Sequence, residues 1–188
     1  MPSSGHIRGV DSVPRWIFQC TAVALIAFKA HGAPDPPVAA DPERQAEVSE
    51  RGAQVMPFKL SATTHVFTKT PVGALQRVVV KDPKDAVQIQ LIRRHLSDIA
   101  DHFSRGDFSG PTEVHGVQMP GLADLKKAKP GEISVRYQDL VNGGQIEYST
   151  QKANLIVALH QWIDAQLSDH GPDAHEGHEQ HHDYTVDQ

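Results

Sequence analysis

The sequence predicts a single α+β domain made of tandem ββα units, with a four-stranded antiparallel sheet and two helices on one face. Three observations predict it. Residues 63–80 and 132–149 each hold two strand-like runs around a turn-forming centre. Each stretch is followed by a segment whose apolar residues recur at spacings of three and four, the mark of a half-buried helix. Gly and Pro punctuate the ends of both units.

In the first unit, residues 63–69 (TTHVFTK) are rich in β-branched side chains, which suit a pleated, half-buried surface. Pro71-Val72-Gly73 supplies a turn, and residues 74–80 (ALQRVVV) return as the second strand. Asp82-Pro83 then reads as a helix start, with Pro83 near the first helical position. Ile89, Ile92, Leu96, Ile99, Ala100 and Phe103 form the buried stripe, and Gly106 ends the helix. Residues 107–121 (DFSGPTEVHGVQMPG) have no period and read as a long loop. A short helix is expected over 122–128, stopped by Pro130-Gly131.

In the second unit, residues 132–138 (EISVRYQ) alternate, with Ile133, Val135 and Tyr137 on one face. Asn142-Gly143-Gly144 is a strong hairpin turn. Residues 145–149 return with Ile146 and Tyr148 facing inward. A helix over 152–168 places Leu155, Ile156, Leu159, Trp162, Ile163 and Leu167 on its core side, and Gly171-Pro172 closes it.

The flanks are read differently. Residues 1–33 have the order of a secretory signal peptide: Arg8 and Arg15, then the apolar run Trp16–Phe28, then a small-residue stretch. Cleavage after Gly32 or Ala33 fits. The run falls short of the about 20 apolar residues that span a bilayer, so membrane contact is expected only through the uncleaved leader. Residues 34–55 read as a linker, 56–172 as the α+β domain, and 173–188 as a disordered His-rich tail. The protein is therefore expected to be periplasmic or secreted.

Composition narrows the chemistry. The one cysteine, Cys20, lies in the leader, so the exported part has no thiolate and no disulfide. The leader holds three of the 18 basic and one of the 23 acidic residues, which leaves 15 and 22 and a net charge of −7. An acidic chain without a basic stripe does not bind nucleic acid well. There is no phosphate-binding glycine loop and no G-x-S-x-G.

Twelve histidines stand out, ten of them beyond the leader. On the first long helix His95 and His102 fall about 20° apart at 100° per residue, with Asp98 between them. On the second, His160 and Asp164 are four residues apart and can touch. His65 lies on the first strand, and His115 and Met119 lie in the loop. Imidazole suits zinc and copper, and thioether suits copper(I). A metal ion held by His65, His115, Met119 and His160, with His95 or Asp164 completing the set, is the leading expectation. Copper is favoured over zinc. The tail residues His175, His178, His181 and His182 would capture ions weakly. Each histidine at the border of an apolar stripe also has a plain structural reading, as a core residue with one hydrogen bond.

The strings TTHVFTKT, GDFSGPTEVHGVQMPGLADL and LVNGGQIEYSTQKANLIVALHQWIDAQLSDHG resemble a group of small exported bacterial proteins that end in a His-rich tail. The resemblance covers residues 53–182 and singles out His65, His115, His160 and His170. Members of that group commonly carry the label aspartate carbamoyltransferase. The Ser-Thr-Arg-Thr string of that enzyme's carbamoyl-phosphate site is absent here, and 155 residues after the leader are too few for its two α/β domains.

The functional expectation is a non-enzymatic metal-binding protein for storage, delivery or tolerance. One alternative is a small hydrolase or lyase-type enzyme using His115, His160 and Asp164 as acid and base. Another is a non-catalytic binding module that works through the open sheet face.

Overall fold

Alternating, β-branched sequence forms the sheet. β1 (Thr63–Thr70) turns at Pro71-Val72 into β2 (Gly73–Val80), with Thr70 opposite Gly73. β3 (Ser134–Leu140) and β4 (Gly143–Ser149) make the second hairpin, and β4 pairs antiparallel with β2. Gly143 permits that pairing, because a Cβ there would stand 2.0 Å from the Val78 carbonyl oxygen. The computed structural model describes residues 39–178. The leader with Cys20, and His181 and His182, lie outside these residues.

The protein is α+β, with five α-helices and a five-stranded mixed sheet of order β3-β4-β2-β1-β5 among the described residues. The expected all-antiparallel, four-stranded sheet is corrected by β5 (Ala174–Glu176), which pairs parallel with β1 and sets Ala174 opposite His65. It falls in the segment read as a disordered tail. Two backbone features hold it there: the ladder itself and the Gly177 N–H donating to the Phe67 carbonyl at 2.8 Å.

The two long helices pack on the sheet face that carries Phe67, Val78, Ile146 and Tyr148. α2 (Ala86–Ser104) starts three residues after Pro83, because Asp85 takes the cap and accepts the Gln88 N–H at 3.1 Å. It buries Ile89, Ile92, Leu96, Ala100 and Phe103, as its stripe requires. α5 (Ala153–His170) buries Leu155, Leu159, Trp162 and Ile163. Tyr148 touches both helices, with ring centroids 5.8 Å from Phe103 and 5.3 Å from Trp162. Its hydroxyl donates to Gln76 Oε1 at 2.8 Å, so the buried phenol is satisfied.

Three shorter helices complete the fold. α1 (Pro42–Val55) replaces most of the expected linker. Asp41 caps it by accepting the Arg44 N–H at 2.8 Å, and Pro42 follows the cap. Val48 is fully buried beneath it. α3 (Ser109–His115) occupies part of the expected loop, and α4 (Leu122–Leu125) falls inside the expected short helix. Gly121, at φ 76°, brings the start of α4 against α5, where a Cβ would stand 2.1 Å from the Ala158 carbonyl oxygen. Among the described residues, no helix is long and apolar enough to cross a membrane.

Candidate functional site

Four elements meet at one cavity of about 340 Å³. β1 contributes His65, α2 contributes His95, α3 ends in His115, and α5 ends in Asp169-His170. All four histidines line the cavity, together with Met56, Phe58 and Trp162.

The imidazoles form a contiguous chain. His65 and His170 have ring centroids 4.9 Å apart, and His170 and His115 5.1 Å. Phe58 sits edge-on to His95 at 5.5 Å and lies 6.0 Å from His65.

His115 is held by a charged clamp. Its Nδ1–H donates to Asp169 Oδ2 at 2.8 Å. Arg44 of α1 grips the same carboxylate with Nε at 3.1 Å from Oδ1 and Nη2 at 2.7 Å from Oδ2. The same Nη2 donates to the His115 carbonyl at 2.6 Å. Burial acts to raise the Asp169 carboxyl, but the hydrogen bonds from His115 and Arg44 outweigh it and hold the group at about 2. Asp169 is therefore ionised at neutral pH and can only accept. That fixes the proton on His115 Nδ1 and keeps Nε2 for another partner.

His65 is in the opposite condition. It is 3 % exposed, and among the described residues neither ring nitrogen has a hydrogen-bond partner, although both are closed off from solvent. A neutral imidazole carries one donor and one acceptor, so two unmade bonds in the interior are costly. Burial, then the neighbouring His95 and His115, lowers its pKa from 6.5 to about 4. Burial likewise pushes His170 well below the ordinary value, helped by His65 and His115 and opposed by Asp169. His95 is lowered by burial, with Asp98 opposing. Neutral imidazoles are the form that ligates metal.

The ring-to-ring spacing of two pairs is compatible with ligation. An ion about 2.0 Å from one nitrogen of each of two rings, at a tetrahedral angle, sets their centroids about 5 Å apart. Both His65–His170 and His170–His115 match that spacing. Among the described residues, no group of three or more His, Cys, Asp or Glu side chains is arranged to hold an ion together.

The expected ligand set is thus partly assembled and partly dispersed. His65, His95 and His115 share the cavity. Met119 does not reach it: the residue is 4 % exposed and belongs to the hydrophobic core. Met56 is the methionine at the cavity wall. His160 is structural, because its Nε2–H donates to the Thr70 and Gly73 carbonyls at 2.9 and 3.1 Å, closing the β1–β2 turn onto α5. Asp164 pairs with Lys69 at 2.6 Å. The acid–base pairing of His115 with His160 and Asp164 fails for the same reason, and Asp169 stands in their place. His175 and His178 are exposed, His175 on β5 itself. Asp98 does not pair with His102, which instead lies 3.1 Å from Asp107.

Arg44, Asp169 and His170 complete the site and were outside the expected ligand set. His170 carries a signal in the resembling strings. Asp41-Pro42, a helix-start pair like Asp82-Pro83, is the local signal for the helix that carries Arg44. No protein-family model, curated protein or solved structure matches this chain, so the site rests on its own geometry.

Proposed function

We propose that the core is a transition-metal site that handles copper in storage, delivery or tolerance, in an exported protein of the kind its leader suggests. The observation that carries this reading is His65, a buried imidazole with both nitrogens unpartnered among the described residues, 4.9 Å ring-to-ring from the half-buried imidazole of His170. His65 and His170 would be the first ligands. His115 would join through Nε2, with Asp169 as the carboxylate that orients it, a common support for ligating histidine. Bound there, the ion would supply Lewis acidity and, for copper, one-electron chemistry. Met56 replaces Met119 as the thioether that favours copper over zinc. His95 stands at the far end of the imidazole chain, beyond Phe58.

The test is copper binding by the full chain with His175, His178, His181 and His182 all changed to Ala, which removes the tail's own affinity. One tight equivalent is expected. His65→Ala and His170→Ala should each weaken it at least 100-fold, and His115→Ala at least tenfold. His160→Ala should leave it unchanged. Absence of a tight equivalent in the parent would sink the reading.

A second reading has its own support. The His115–Asp169 bond at 2.8 Å orients an imidazole toward a cavity, as acid–base catalysis needs. A hydrolase or lyase-type activity would show a rate that collapses in both His115→Gln and Asp169→Asn without added metal. The binding-module reading has less behind it. Among the described residues, the large apolar side chains that are exposed are Val72, Val87, Val117, Val141 and Val157, none of which lies on the outer sheet face.

A further inference from the structure

The cavity is far larger than an ion and its first ligands require. A 150 Å³ apolar cavity is enough to take benzene, and this one is about 340 Å³. Its inner wall is apolar, built from Val78, Leu96, Ile99, Phe103, Val114 and Trp162. Its polar side is the row of imidazoles with the amides of Gln76 and Gln166. Its rim carries the exposed carboxylates Asp98, Asp107 and Glu113.

These features select a ligand class. The volume fits one or two fused rings. The apolar wall and the aromatic edges of Phe103 and Trp162 favour a flat, unsaturated body. The rim carboxylates repel an anion, and no carboxylate stands among the inner-wall side chains to hold a cation. His115 offers Nε2 as an acceptor, because Asp169 fixes its proton on Nδ1. We infer that the cavity binds an uncharged one- or two-ring aromatic molecule with a single hydroxyl or ring N–H, which donates to His115 Nε2. The binding uses the cavity wall and does not require the ion.

The probe is 2-naphthol, titrated by calorimetry into the full chain in the presence of a chelator at neutral pH. One saturable site is expected. Val114→Phe and Ile99→Phe fill the cavity from α3 and from α2, and each should weaken the probe at least tenfold. Circular dichroism reports whether each variant folds. The equal-sized anion 2-naphthoate should bind at least tenfold more weakly than 2-naphthol. The tight copper equivalent, measured on the same variants with the tail histidines changed to Ala, should survive the filling substitutions. The inference is overturned if 2-naphthol shows no saturable binding, if neither folded filling variant weakens it, or if 2-naphthoate binds equally well. Failure of copper binding alone would leave the naphthol result standing, so the two ideas fail separately.

Discussion

Arg44 is the residue on which the clamp depends. Among the described residues, its guanidinium alone bonds both the Asp169 carboxylate and the His115 carbonyl. Charge-assisted hydrogen bonds to a charged group are worth about 1.5–3 kcal/mol, so Arg44→Met, which strips them from the buried Asp169, should lower unfolding stability by about 2 kcal/mol in denaturant titrations. Asp169 would keep its bond to His115 but lose Arg44, and its carboxyl should move up from about 2 toward its ordinary value. Carbon-detected NMR titration of the carboxyl would read that shift. Arg44→Lys should recover part of the stability but not the two-point grip, because an ammonium is a point charge and not a planar fork. If Arg44→Met left both quantities unchanged, the ion pair would be an accident of the surface. His160 offers a contrast. Changing it to Ala strips the donor from two carbonyls at the β1–β2 turn and should cost about 1–3 kcal/mol, with no loss of copper.

At the scale of elements, the site is closed by two pieces with weak sequence signals. α1 crosses α3 and α5, where Arg51 Nε donates to the Val114 carbonyl at 2.8 Å and Arg44 reaches α5. It buries little apolar surface of its own, and Val48 is its one fully covered large side chain. A helix held by arginines and a buried Gly52 shows no apolar stripe, which is why it reads as a linker. β5 is three residues long and pairs parallel, a geometry that no local turn announces. α3 contains Gly110-Pro111, residues that ordinarily speak for a loop. By contrast, β1 to β4 and the two long helices show in the sequence, because alternation and three-to-four spacing come directly from burying one face. The candidate site follows the same division. His65, His95 and His115 are legible as residue types, whereas their convergence with His170 depends on long-range packing. Met119 and Met56 look alike in sequence, and only the packing tells which one meets the cavity. The place of β5 makes a prediction. Ending the chain after Pro172 removes the strand opposite His65 and should lower the melting temperature by several degrees, whereas ending it after His178 should not. Equal melting temperatures would mean that β5 contributes nothing to the core.

For the molecule as a whole, the buried histidines set the response to acid. His65 binds a proton at about 4 when folded and at 6.5 when unfolded. His170 and His95 shift in the same direction. Between those values the unfolded chain binds more protons than the folded one, so stability rises with pH across that window and is lost as pH falls through it. For His65 alone the full loss is on the order of 3 kcal/mol. Asp169 adds a second, lower step, because its carboxyl is held near 2 and its contribution disappears only below the ordinary carboxylate range. Unfolding free energy measured in denaturant should therefore fall steeply from pH 6.5 to pH 4 while Asp169 stays ionised. Replacing His65 with Phe, a ring that suits neighbours such as Phe58 and Phe67, removes one of the protons taken up. The slope of stability against pH should then drop by about 1.4 kcal/mol per pH unit at its steepest. An unchanged slope would place the titrating group elsewhere. Copper should act in the opposite direction on the parent, since an ion on His65 and His170 competes with protons, stabilises the folded chain and moves the acid transition to lower pH. In His65→Phe, copper should leave the acid transition where it is, because the ion and the proton are lost with the same ring.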